Sequence, residues 1–98
     1  MSYSVIPSTF AKEDKNKIIA YLAQYSINAP QKFKKELKKY IGIIGETPNI
    51  FSTFNPNPYY RHVVIFGSYV MFYTIEEASK KVFIYRILHD SQNIEDIL

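Results

Sequence analysis

The sequence has no cysteine and no tryptophan, three glycines, two histidines and no long apolar run. Each shortage excludes something. Without cysteine there is no disulfide scaffold, no thiolate metal site and no cysteine nucleophile. Two histidines without cysteine at ligand spacing give no metal site, and Gly42, Gly45 and Gly67 form no phosphate-binding loop, so neither metal nor cofactor is expected. No run approaches the roughly 18 apolar residues of a membrane span. Met1 to Pro7 lacks a basic stretch before an apolar block, so no signal peptide is read there and a cytoplasmic location is expected.

What is present is aromatic and basic. Nine tyrosines and seven phenylalanines make 16% of the 98 residues, and the net charge is +3. The surplus lies in the first half, where Lys12, Lys15, Lys17, Lys32, Lys34, Lys35, Lys38 and Lys39 face Glu13, Asp14, Glu36 and Glu46. Apolar residues at 47% and charged residues at 21% place the chain among globular proteins, and its length predicts one domain over residues 1–98.

Residues 2–7 are β-branched and aromatic and end at Pro7, which predicts a strand. Ser8 or Thr9 is a suitable helix cap. Phe10, Asp14, Ile18, Tyr21, Leu22 and Tyr25 then recur at helical spacing, predicting a helix over about 9–25 whose stripe is apolar except for Asp14. A second helix is predicted over about 28–45, with Asn28 as cap, Pro30 in its first turn and Gly45 as its stop. The short link predicts an antiparallel hairpin with Ile18, Leu22, Phe33, Leu37 and Ile41 among its most buried residues. Residues 46–58, with Pro48, Pro56 and Pro58, read as a loop. Three strands follow, at Tyr59–Phe66, Tyr69–Ile75 and Lys81–His89, joined by short turns as an antiparallel meander. Ile94 to Leu98 is too short for a helix that stands alone. The helices can bury their stripes only on the sheet, which makes a two-layer α+β fold.

That order resembles the RelE/ParE superfamily of bacterial toxins. Phe10-Ala11-Lys12-Glu13-Asp14 and Ile18-Ile19-Ala20-Tyr21-Leu22 are similar to its first helix, and Ala29, Phe33 and Leu37 to its second. Glu46-Thr47-Pro48, Tyr60-Arg61, Gly67-Ser68-Tyr69, Met71-Phe72-Tyr73, and the series Val82, Ile84, Arg86, Leu88 and His89 match its loop and strands in order. The likeness is greater to the ParE branch. It implies a growth-inhibiting toxin neutralised by a cognate antitoxin, with DNA gyrase as target. The RelE branch implies instead the ribosome and mRNA, with the chain as an endoribonuclease. Val70 stands where ribosome-dependent members carry a catalytic arginine, and Asp90-Ser91-Gln92 where a glycine and basic residues often follow the histidine.

Cleavage of RNA by its own 2′-oxygen needs a base, an acid and cations for the phosphate. Arg61, His62, Tyr73, Arg86 and His89 are the candidate parts, with Arg61, Arg86 and His89 the set a nuclease would use. Strand alternation puts Arg86 with Ile84 and Leu88 but His89 with Tyr85 and Ile87, so Arg86 and His89 converge only if the strand ends or bulges between them. Lys32, Lys35 and Lys39 on the second helix, with Tyr59 and Tyr60, are the candidate partner-binding residues. The plain alternatives are a solvated lysine face and ordinary cross-strand packing. The leading expectation is a gyrase-binding toxin. The alternatives are the nuclease and an inactive homologue that keeps only antitoxin binding.

Overall fold

The computed structural model describes residues 2–98. Strand β1 (Ser4–Pro7) leads into helices α1 (Thr9–Ala23) and α2 (Ala29–Glu46). A 3₁₀ turn (Pro48–Ile50) precedes β2 (Thr53–Phe54), β3 (Asn57–Ile65), β4 (Tyr69–Glu76), β5 (Lys81–His89) and a last turn of helix, α3 (Ile94–Ile97). The sheet order is β1-β5-β4-β3-β2. β1 runs parallel to β5 and every other pairing is antiparallel. Among the described residues no helix is long and apolar enough to cross a membrane.

The chain enters α1 through Ser8. Its hydroxyl accepts the Ala11 N–H at 3.0 Å and donates to the Tyr85 carbonyl at 2.6 Å. The cap thus satisfies a free helix donor and joins the helix start to β5. At α2 the expected cap fails. Asn28 is itself helical and makes no side-chain cap bond. Ser26 does the work instead, its hydroxyl accepting the N–H groups of Asn28 and Ala29 at 3.2 and 3.3 Å. Gly45 does not stop α2, which continues to Glu46. Its carbonyl accepts the Tyr3 N–H at 2.7 Å, and a Cβ there would touch the Val5 side chain and Tyr3 carbonyl at 3.4 and 3.5 Å. The glycine lets β1 lie close against the helix end.

The proline-rich stretch is not a bare loop, since it holds the 3₁₀ turn and β2, and β3 begins within it. The β3–β4 connection spans Phe66 to Ser68, with Phe66 and Gly67 both in the left-handed region. Left-handed backbone is costly for phenylalanine. Two contacts offset the cost: the Phe66 N–H donates to the Glu36 carboxylate at 2.8 Å, and its ring meets Phe33 edge-on at 5.8 Å.

The main core lies between the hairpin and the inner face of the sheet. Ile18, Phe33, Leu37, Ile44, Ile65, Met71, Tyr73, Val82 and Ile84 are buried in it. Leu22 and Ile41, expected among the most buried, are only half-buried at its margin. The outer face carries a second cluster, absent from the two-layer expectation. Val70, Phe72 and Leu88 are covered there by Phe54, Tyr60, Ile94, Ile97 and Leu98. The docking of its apolar residues explains why so short a segment as α3 is helical at all.

Leu37→Ala should lower unfolding free energy by about 2–5 kcal/mol, because the site is enclosed by both helices and the sheet. Gly42→Ala should do the opposite. Nothing lies within 4 Å of a Cβ at that helical position, so a gain of about 0.5–1 kcal/mol is expected. Urea denaturation reads both, and a stabilised Leu37→Ala or a destabilised Gly42→Ala would contradict this packing.

Candidate functional site

The one acidic residue on the α1 stripe proves to be structural. Asp14 is 7% exposed. Its carboxylate accepts Arg86 Nε at 2.7 Å, Arg86 Nη2 at 2.9 Å and the Ile87 N–H at 3.0 Å. The fork geometry suits a guanidinium, and three donors leave the buried carboxylate well satisfied. The Asp14 hydrogen bonds hold the Arg86 pKa above its ordinary value, against the opposing effect of burial. The guanidinium also lies over the Phe10 ring, 5.5 Å from its centre.

A β-bulge makes this pairing possible. Tyr73 pairs with Ile84 and Phe72 with Arg86, so Tyr85 is an extra residue on β5. A bulge breaks the ladder and reverses the alternation beyond it. The freed Tyr85 carbonyl is the one that Ser8 caps. Beyond the bulge Ile87 belongs to the inner core and Leu88 to the outer cluster. The alternation expected from sequence, which put Ile84 and Leu88 on one face with Arg86, is therefore corrected: Ile84 and Leu88 lie on opposite faces of the sheet.

The bulge precedes both Arg86 and His89 and leaves their relative parity unchanged, yet with Arg86 drawn to Asp14 the two line one cavity of about 390 Å³, with Asp14, Lys17 and Tyr21 from α1 and Tyr69 from β4. His89 is half-buried, with its ring edge-on to Tyr69 at 5.2 Å. Its Nδ1 is surrounded locally, 2.7 Å from the Ser91 hydroxyl, 3.1 Å from the Ser91 N–H and 3.3 Å from Asp90. Only Nε2 remains for anything entering the cavity.

Arg61 is not part of this group. Its guanidinium donates to the Phe51 carbonyl at 2.7 Å, and the shallow depression it lines is shared with Asn49, Thr53 and Tyr59. Tyr73 is fully buried and donates to the Pro48 carbonyl at 2.7 Å. Burial pushes its phenol up to about 12, although Arg61 pulls the other way. His62 is packed against Phe54 and Phe72. Val70 is buried in the outer cluster, away from the cavity. Among the described residues no group of three or more histidine, aspartate or glutamate side chains is placed to hold a metal.

The partner-binding candidates lie on two different surfaces. Lys32, Lys35 and Lys39 are all exposed on α2, and Lys39 sits 5.7 Å from the centre of the Tyr40 ring. Tyr59, 74% exposed, meets Tyr60 edge-on at 5.0 Å. Tyr60 stacks on Tyr85 at 5.2 Å, and Tyr85 meets Phe10 edge-on at 6.1 Å. Burial raises the Tyr60 pKa above its ordinary value, with smaller effects from Tyr85 and Tyr59. Four rings thus form a continuous ladder from β3 to α1. The sequence shows the Tyr59-Tyr60 pair, but joining it to Phe10 needs the sheet order.

Residues 5–94 match the family model described as the ParE toxin of the type II toxin–antitoxin system parDE. No curated protein matches the sequence. Solved structures share the fold, two of them from toxin–antitoxin systems. One, titled as the chromosomal ParDE toxin–antitoxin system of P. aeruginosa, is 15% identical with a TM-score of 0.71, over 90% of this chain and 96% of that one. The other, the RelBE2 toxin–antitoxin complex of Mycobacterium tuberculosis, is 19% identical with a TM-score of 0.59, over 91% and 99%.

Asp14→Ala should cost about 3–5 kcal/mol, because it strands a largely buried guanidinium and the Ile87 N–H. Adding Arg86→Met should recover part of the loss. Denaturation of the two single variants and the double variant measures the coupling. Additive losses would mean that the two groups act independently.

Proposed function

The chain belongs to the ParE toxin family of type II toxin–antitoxin systems, and on that premise we propose that it stops growth in the cytoplasm by binding DNA gyrase. A cognate antitoxin is its natural partner and holds it silent. The observation that carries a binding mode of action is the commitment of Arg86 to Asp14. A nuclease must present a free cation to the scissile phosphate. Here the cavity's arginine is already paired to a carboxylate. Arg61 stands elsewhere, tied to a backbone carbonyl. The position that bears a catalytic arginine in ribosome-dependent members is Val70, buried in the outer cluster. A binding poison needs none of these groups. It needs a contact surface, and the ladder ending in Tyr59 offers apolar rings with polar tips of the kind that anchor protein interfaces.

One observation favours a second reading, cleavage of ribosome-bound mRNA. His89 and Arg86 do share a cavity, beside Lys17. The two readings part on a single variant. Losing an acid–base group typically costs a nuclease about 10²–10⁴ in rate, whereas His89→Ala should leave a gyrase poison close to full strength. The expected outcome is that purified His89→Ala and the natural chain perturb gyrase supercoiling equally and leave ribosome-bound transcripts intact. Codon-positioned cuts that vanish in His89→Ala would transfer the assignment to the nuclease branch. A chain that neither inhibits growth nor touches either target would be an inactive homologue that keeps antitoxin binding.

The lysines of α2 give the partner reading its own test. An exposed row of one sign raises the association rate with an acidic partner and does so most at low salt. Lys35→Glu with Lys39→Glu should slow antitoxin association by roughly tenfold at low ionic strength. The difference should shrink as salt screens it. A rate that is unchanged and independent of salt would remove these lysines from the partner surface.

A further inference from the structure

The cavity beside α1 has its acceptors engaged and its donors to spare. The Asp14 carboxylate holds Arg86 and the Ile87 N–H. The Gln92 side-chain oxygen accepts the His89 N–H at 2.8 Å. His89 Nδ1 accepts the Ser91 N–H at 3.1 Å. Each of these bonds leaves a donor behind. Gln92, which also lines the cavity, keeps its amide NH₂. With Nδ1 accepting, the neutral imidazole carries its proton on Nε2. Arg86 commits Nε and Nη2 to Asp14, and among the described residues its Nη1 has no partner. Lys17 makes no ion pair among the described residues. Asp90 stands on the Nδ1 side of the histidine, 3.3 Å away, and is not part of the cavity wall.

Tyr69 adds an independent sign. It is 6% exposed, with its ring in the main core. Its hydroxyl makes no hydrogen bond among the described residues, yet no buried side-chain oxygen or nitrogen there lacks a partner. The hydroxyl is therefore reached from the cavity that Tyr69 lines. Burial, and then the nearby Tyr21, hold its pKa above the ordinary value, so it keeps its proton to donate. A core tyrosine that ends in an unpaired donor calls for an acceptor from outside.

From this we infer that the cavity is a binding site for a small phosphate monoester carried on a flat ring, such as a nucleoside monophosphate. The donors come from α1, β4, β5 and the turn after it. Convergence from several directions suits the tetrahedral oxygens of a phosphate, and charge-assisted bonds are the strong ones. Lys17 supplies the net positive charge, since Asp14 balances Arg86. Ile18, Ile87 and the tyrosine rings give the organic part an apolar wall. A volume of about 390 Å³ is that of a small-ligand site. The balanced arginine can hold an anion through its N–H groups but adds little of the charge that cleavage demands, so the site binds without cutting. Val70, where ribosome-dependent members carry their arginine, is buried in the cluster on the other face of the sheet. The inference goes beyond the gyrase reading and does not depend on it.

Titration of the natural chain with adenosine monophosphate at constant ionic strength tests this, read by calorimetry and by the ring resonances of His89 and Tyr69. Saturable binding that shifts both rings is expected. Tyr69→Phe keeps the ring and removes only the hydroxyl, and Lys17→Gln removes the charge. Each should weaken binding by about tenfold. Lys15→Gln, exposed on α1 but outside this cavity, should not. If a variant folds poorly, the ring shifts of the natural chain decide. Absence of saturable binding overturns the site. So does binding that leaves both rings unmoved, which would place the anion on the lysines of α2. Inorganic phosphate that binds as tightly as the ester means an adventitious ion only and overturns it as well. A single-stranded oligoribonucleotide that binds better than the monophosphate gives the cavity to the nuclease reading and also overturns the proposal.

Discussion

The Asp14 carboxylate is the point on which the rest of the structure hangs. It joins the first helix to the last strand, 72 residues away, through Arg86, and takes the Ile87 N–H as well. Buried ions are tolerated only when paired and hydrogen-bonded. The pairing forces Arg86 toward α1, and the bulge at Tyr85 supplies the extra residue that lets β5 meet that demand while still pairing with β4. The Ser8 hydroxyl then resolves the carbonyl the bulge leaves over. Cap, bulge and ion pair are thus one device, and each part would be a defect without the others.

That device also decides which residues can act together. Reversing the alternation of β5 sends Ile87 into the main core and Leu88 into the outer cluster. His89, in phase with Ile87, lines the same cavity as Arg86, which Asp14 draws toward α1. Yet the interaction that brings them together occupies the arginine. The cavity has the outline of a catalytic site, while its strongest cation serves the fold. The surfaces proposed for partners lie elsewhere, on the lysine face of α2 and on the ring ladder.

Much of this was legible in the residues. Helical spacing located both helices, and β-branched runs located the meander, because each signal is local and repeats. What the sequence concealed depends on contacts between distant segments. Asn28 looks like a cap, but Ser26 reaches the free N–H groups first. Gly45 looks like a helix stop and is instead a place where β1 comes close. Leu22 and Ile41 share a stripe with buried neighbours, but the hairpin's margin leaves them half-covered. The strand at Thr53 is too short to show a period. The bulge leaves no mark in local propensity, and the lone acid in the α1 stripe carries no local sign of its partner. Asp14 was visible, and Arg86 was the unanswered half.

The pairing of β1 with β5 bears on the chain's synthesis. Among strands β1 touches only β5, and the hydroxyl that caps α1 reaches across 77 residues to the same strand. A nascent chain emerging from the ribosome therefore makes its helical hairpin early, but holds an uncompensated aspartate and an uncovered stripe until β5 appears. Contacts of such long sequence separation form late and slowly. The chain is thereby kept without its completed shape until β5 has left the ribosome, an interval in which a partner already waiting can meet it first.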